Sequence, residues 1–188
     1  VAWDLLEGTP TNDVSTSNIW SGGNNGVVLT DTDSSSRVTA QRTFEKLTGS
    51  NVIVEMRLGI TDTSKDGWGF ALYNGDIEAL KGFIQNGGLY FGNTRAAGYG
   101  SGATVGVRVE IDLARQVYRV FINGNPISGE FPVSTDSIDN IRFFTSSEGV
   151  GKLYTGPVRI AKDYYVADEF VPYAVGGNLT ASSEWISS

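Results

Sequence analysis

The 188-residue chain carries 14 Lys and Arg against 21 Asp and Glu, a formal net charge of −7, with no cationic block anywhere. Nucleic acid and anionic membrane surfaces, which need clustered Lys and Arg, are therefore excluded as expected partners. Histidine and cysteine are both absent, which excludes Ser-His-Asp triads, Cys-His dyads and histidine-bound zinc, and no apolar run approaches the roughly 18 residues that insert across a bilayer.

Residues 1–7 predict a short first strand, and 8–26 a long polar loop that carries Trp20. GVVLTD (26–31) and RVTAQRTF (37–44) follow as strands around a Thr, Asp and Ser turn cluster. Val52, Val54, Met56, Leu58 and Ile60 alternate strictly, which predicts a strand with one buried face. GWGFALYN (67–74) sets Trp68, Phe70 and Leu72 on one side and Ala71 and Tyr73 on the other, ahead of an Asn-Gly-Asp turn. IEALKGFIQ and LYFGN form a further hairpin across Gly87 and Gly88, and RAAGYGSGA (95–103) predicts a glycine-rich loop. The clearest pair is 104–112 and 117–122: Val105, Val107, Val109 and Ile111 share a face, as do Tyr118, Val120 and Ile122, and Asn123-Gly124-Asn125 closes the second strand. NIRFFTSS (140–147) and TGPVRIAKDYY (155–165) are the closing strands. No stretch has helical periodicity, so the fold class is all-β, a two-sheet antiparallel sandwich. The expected organisation is one domain over 1–174 and a linker-like Gly, Asn and Ser tail over 175–188. A chain that opens at Val1 is expected to be a processed or excised product.

The strand V-x-V-x-I-D-L (107–113) followed by Y-x-V-x-I-N-G (118–124), with the paired strands before it and the returning strands after it, resembles the concanavalin A-like and laminin G-like jelly rolls over about residues 1–170. That resemblance implies fold and leaves function open, because lectins, glycosidases, polysaccharide lyases and accessory modules share it. Retaining β-glucanases of this fold carry a second carboxylate two or three residues beyond an E-x-D; here Glu110 and Asp112 are followed by Ala114 and Arg115, so that pair is read as solvated charge. The resemblance also implies a structural calcium ion tying the first strand to the last through Asp4, Glu7 and Asp163, with Asp31 and Asp33 or Asp62 and Asp66 as alternatives that turn formation also explains.

Sugar rings stack on exposed aromatic planes beside amides and charged groups that bond hydroxyls. Trp20, Trp68 and Tyr99 sit among Gly, Asn and Asp in loop contexts, and Tyr73 and Tyr90 fall on outer strand faces. With Arg57 and Arg119 these form the expected carbohydrate-binding set. The expected function is an extracellular, prokaryotic polysaccharide-binding jelly-roll domain, accessory to a larger polysaccharide-active protein. Two alternatives remain open at this level. One is a lyase or glycoside hydrolase with a non-standard site, for which Tyr73, Arg57, Arg108 and Arg119 are candidates. The other is a structural subunit of a surface layer or filament, self-associating through sheet edges or termini.

Overall fold

The structure, a computed structural model, describes residues 4–7, 13–17, 26–49 and 51–163. Trp20 and the tail from 164 onward lie outside the described residues, as do the side chains of Asp4 and Asp163. The strands in chain order are β1 (Asp4–Glu7), β2 (Asp13–Ser17), β3 (Gly26–Asp31), β4 (Thr39–Thr48), β5 (Asn51–Ile60), β6 (Gly69–Asn74), β7 (Ile77–Gln85) and β8 (Gly88–Phe91). They continue as β9 (Thr94–Gly98), β10 (Thr104–Asp112), β11 (Val117–Ile122), β12 (Asn125–Pro126), β13 (Phe131–Pro132), β14 (Ser137–Phe144), β15 (Gly151–Thr155) and β16 (Arg159–Asp163). No helix occurs among the described residues.

All pairings are antiparallel and form two sheets. One runs β1-β4-β14-β6-β7-β8-β9; the other runs β12-β11-β10-β5-β15-β3-β2, with β13 also on β11 and β16 also on β5. This is the all-β, two-sheet jelly-roll sandwich expected from the alternation. The central strand β5 turns Val52, Val54, Met56, Leu58 and Ile60 inward, and β10 pairs with it from Thr104–Gly59 to Asp112–Asn51, so the inward valines of both strands meet in register. From the other sheet come Phe70, Leu72, Ile84, Leu89, Phe91, Ile141 and Phe143. Phe70 meets Phe91 edge-on at 6.1 Å and Phe143 at 6.2 Å. Each such buried side chain stabilises the fold by about 1.5–3 kcal/mol relative to exposure.

Three elements depart from the sequence expectation. β2 lies within the expected polar loop and β9 within the expected glycine-rich loop; each pairs with a single neighbour, β3 or β8, at the end of its sheet. The expected strand 155–165 starts only at Arg159 as β16, past Gly156-Pro157-Val158, where the proline has no N–H to give to a ladder, and β15 precedes it where no strand was expected.

Candidate functional site

The register of the seven-stranded sheet places its outward side chains in rows that cross the strands. In one row Arg95 (β9) pairs with Tyr90 (β8), Tyr90 with Phe83 (β7), Phe83 with Gly69 (β6), Gly69 with Phe144 (β14), Phe144 with Thr39 (β4) and Thr39 with Glu7 (β1). The next row is Lys81, Ala71, Arg142 and Gln41, and the third is Glu78, Tyr73, Asn140 and Thr43. Aromatic rings therefore line the first row, with a gap at Gly69 between Phe83 and Phe144. Only glycine fits this gap, since a Cβ on Gly69 would stand 2.2 Å from the Gly82 carbonyl oxygen.

Cations cover the rings. The Lys81 ammonium lies 5.3 Å from the Phe83 ring centre and 5.1 Å from that of Phe144, over the gap, and the Arg37 guanidinium lies 5.8 Å above Phe144 from the other side of the row. Phe144 is buried yet stands outside the inter-sheet core, because these side chains shield it from without. Tyr90 packs against Phe83 with ring centres 6.2 Å apart and planes 30° apart. Arg95 reaches over Gly88, where a Cβ would meet its Nε at 2.4 Å, and donates to the Gly87 carbonyl at 3.3 Å.

At the other end of the face Arg142 is held from four directions. Its Nε donates to Gln41 Oε1 at 2.8 Å, its terminal nitrogen donates to Asp76 at 2.8 Å and to the Gly75 carbonyl at 3.3 Å, and its guanidinium lies 4.1 Å over the Tyr73 ring. The Tyr73 hydroxyl donates to Glu78 at 3.3 Å. Burial, and then the charge of Glu78, push the Tyr73 pKa up, against the opposing pull of Arg142. Asn140 donates to Gly75 and Asp139, while its own amide oxygen is buried without a donor. Arg142, Gln41, Asn140 and Asp76 border a depression of about 420 Å³ together with Leu6 and Phe44.

The structure brings Tyr73 and Tyr90 to this face and separates them from the other expected binding residues. Trp68 is fully buried: it is in phase with Phe70 and Leu72 and completes the core. Tyr99, only 3% exposed, is pinned inside with its hydroxyl 2.8 Å from the Leu58 carbonyl and 2.9 Å from that of Ala103; burial pushes its pKa well above the usual tyrosine range. Neither ring is presented to solvent, which corrects their expected exposure. Arg57 and Arg119 project from the nine-stranded sheet, on the opposite face of the molecule. There Arg119 and Arg115 share Glu130 at 2.7 and 3.0 Å, and their hydrogen bonds hold the Glu130 carboxyl below the usual range. Glu110 pairs with Arg108 at 2.6 Å, and Asp112 accepts the Arg115 backbone N–H at 2.9 Å.

The expected metal set is split by the register. Glu7 pairs with Thr39 at the start of β4, where it accepts the Thr39 hydroxyl at 2.8 Å, whereas Asp163 pairs with Asn51 beyond the end of β4. Nine residues of strand, roughly 30 Å, lie between those positions. Asp33 accepts the Ser35 hydroxyl and then its N–H, and Asp62 accepts the Ser64 N–H, which lowers both pKa values, and Asp66 accepts Asn86 N–H. Among the described residues no group of three or more acidic side chains is placed to hold a metal.

The residues missed from sequence are Arg37, Gln41, Lys81, Phe83, Arg95, Arg142 and Phe144. Part of the signal was present: Phe143 and Phe144 are adjacent on one strand, so one must face outward, and Lys81 and Phe83 alternate with the inward Leu80 and Ile84.

No protein-family model matches the chain, and no curated protein matches it. Solved structures do match. A sialidase superposes with a TM-score of 0.67 at 13% identity over 86% of this chain, which spans only 17% of the sialidase. An alginate lyase from Corynebacterium sp. superposes at 0.56 with 10% identity, covering 73% of this chain and 76% of the lyase. The carbohydrate-binding module CBM66 from Bacillus subtilis superposes at 0.53 with 11% identity, covering 85% of this chain and 95% of the module. Identities this low carry the fold alone, and that fold is the jelly-roll β-sandwich.

Proposed function

We propose that this chain is a glycan-binding domain that takes a polysaccharide across the outer face of its seven-stranded sheet. The observation that carries this is the half-buried aromatic pair Tyr90 and Phe83 on the outer face, ring centres 6.2 Å apart, with the amide of Gln41, Thr43 and Arg142 in the rows beside it. Pyranose rings stack on aromatic planes, and their hydroxyls need donors and acceptors at the edge of that platform. Concave or flat surfaces of this make-up, apolar with a few fixed polar groups, are what small saccharides bind. The jelly-roll likeness to a carbohydrate-binding module and to an alginate lyase supports the same class. The Gly, Ser, Thr and Asn bias and the low charge content of 19% support an extracellular setting, as an accessory part of a larger polysaccharide-active protein.

A second reading is a lyase, favoured by the one place where a phenol, a guanidinium and an amide converge: Tyr73, Arg142 and Gln41. Proton abstraction at neutral pH calls for a phenol with a lowered pKa. Tyr73 has a raised one and donates its proton to Glu78, so the cluster is better suited to holding a sugar than to eliminating from it.

The test is a polysaccharide panel read for retention and, in parallel, for unsaturated product at 235 nm or new reducing ends. Retention without product is expected, and Phe83→Ala and Tyr90→Ala should each weaken it about tenfold by removing a stacking plane. Product formation would establish the lyase instead. Retention unaffected by both variants would remove this face as the site.

A further inference from the structure

The cations around the aromatic row differ from several arginines of the other sheet. On the nine-stranded sheet Arg108 pairs with Glu110 and Glu55, Arg159 with Glu55, and Arg115 and Arg119 with Glu130. On the seven-stranded sheet Arg37, Lys81 and Arg95 have no carboxylate within ion-pair distance among the described residues; rings and a backbone carbonyl hold them in place. The fourth cation of this face, Arg142, pairs with Asp76, whose side chain is 97% exposed while that of Arg142 is 18% exposed. Such a carboxylate is fully hydrated and readily exchanged for another. In a chain with seven more negative than positive groups, three cations beside the aromatic row are thus left without a carboxylate partner among the described residues.

Resting on the glycan-binding reading, we propose that this face selects acidic saccharides, with an anionic substituent on the sugar, a carboxylate or a sulfate ester, seated on Lys81 and flanked by Arg37 and Arg95. The geometry is specific. Gly69 and Ala71 add no bulk beneath the Lys81 ammonium. Phe83 and Phe144 are two strand spacings apart, roughly 10 Å, and the Lys81 ammonium lies between the half-buried Phe83 ring and the buried Phe144 ring. A sugar stacked on the half-buried Phe83 directs its ring substituents toward the neighbouring Lys81 ammonium. Arg95 stands at the β9 end of the aromatic row and Arg37 beside Phe144, so acid groups spaced along a polymer meet separate cations. Charge-assisted hydrogen bonds from such donors are about twice as strong as neutral ones, which gives the preference.

The experiment uses the full chain and four probes in matched pairs, with affinity measured by calorimetry at physiological salt. The pairs are a polyuronate with its carboxyl-reduced counterpart, and a sulfated galactan with its desulfated counterpart. The acidic member of at least one pair should bind about tenfold more tightly than its neutral partner, and which pair shows it distinguishes carboxylate from sulfate. Lys81→Met, which keeps the aliphatic stem over the rings, should abolish that ratio, Lys81→Arg should retain it, and Arg115→Ala on the opposite face should leave it unchanged. Equal binding within both pairs would overturn the proposal and leave glycan binding intact. An acidic preference that survives Lys81→Met would overturn it as well. Binding to none of the four, with silence across the wider polysaccharide panel, would instead bring down the glycan-binding function itself.

Discussion

Tyr99 and Trp68 show how a single side chain is misread from its neighbours and correctly read from its phase. Both sit among glycines and polar residues, which suggests exposure, yet Trp68 alternates with Phe70 and Leu72 and is drawn into the core with them. Tyr99 carries no such local signal. Its burial depends on the 98–103 segment folding back so that the hydroxyl reaches carbonyls of Leu58 and Ala103, which no short-range pattern encodes. Burial has a measurable consequence at this position. The phenol is neutral in the fold with a pKa raised above the value of about 10 for an unfolded tyrosine. Its contribution is therefore complete below about pH 10 and is lost as pH rises toward the folded-state value, by up to about 1.4 kcal/mol per pH unit for one tyrosine. Tyr118, pushed up to about 12 by burial and the Glu78 charge, adds to the same alkaline limb. Tyr99→Phe is expected to cost about 1 kcal/mol at pH 7 through the lost hydrogen bond and to flatten the fall in stability above pH 10. Urea unfolding at pH 7 and pH 11 checks this, and an unchanged alkaline slope would show that Tyr99 ionises freely in the fold.

Among the elements, the strands that bury a face were legible and those that do not were hidden. β5, β10 and β11 alternate because one side of each packs between the sheets, and period two exposes that at once. β2 and β9 are edge strands of small and polar residues, DVSTS and TRAAG. Their order comes from ladder bonds to β3 and β8, which sequence pattern does not report. The same limit applies to the candidate site. Alternation can place Phe83, Tyr90 and Phe144 outward, but only the strand order, with β14 inserted between β4 and β6, sets them in one row. Elements of different sheets are also tied by polar contacts. The Val38 N–H donates to the Thr145 hydroxyl at 2.8 Å, and that hydroxyl donates to the carboxylate of Asp31, 2% exposed at the end of β3. Thr145 itself is fully buried just after β14, so this relay joins the seven-stranded sheet to the nine-stranded one. Thr145→Val preserves shape and removes the relay, leaving a buried N–H and a buried carboxylate each short of a partner. A loss of about 2–3 kcal/mol is expected in denaturant unfolding. A loss below about 0.5 kcal/mol, the range of ordinary surface substitutions, would mean that the two sheets do not depend on this link.

At the scale of the whole molecule, closure of the sandwich falls to its last described strand. β5 is the centre of the nine-stranded sheet, with β10 on one side along its whole length, while its other side is shared: β15 pairs at Leu58–Ile60 and β16 at Asn51–Glu55. Without β16, the first half of β5 becomes an open edge. Val158 and Ile160 are also one wall of a cleft of about 400 Å³ between the sheets, opposite Phe44, Leu47 and Ile141, so the same strand covers core side chains and completes a ladder. A residue near the end of the described chain thus protects a strand that lies about a hundred positions earlier, an arrangement typical of folds dominated by non-local pairing. Comparing a chain ended at Asp163 with one ended at Val158 isolates this strand. The shorter chain loses five paired residues and the apolar cover of Ile160, and its Tm is expected to fall by roughly 10 °C, equivalent to about 3–4 kcal/mol for a domain of this size, with binding of a hydrophobic dye to the opened cleft. Equal Tm values without dye binding would mean that β5 is held by β10 and β15 alone. In that case β16 would be an appendage of the sandwich, and the cleft would belong to its surface.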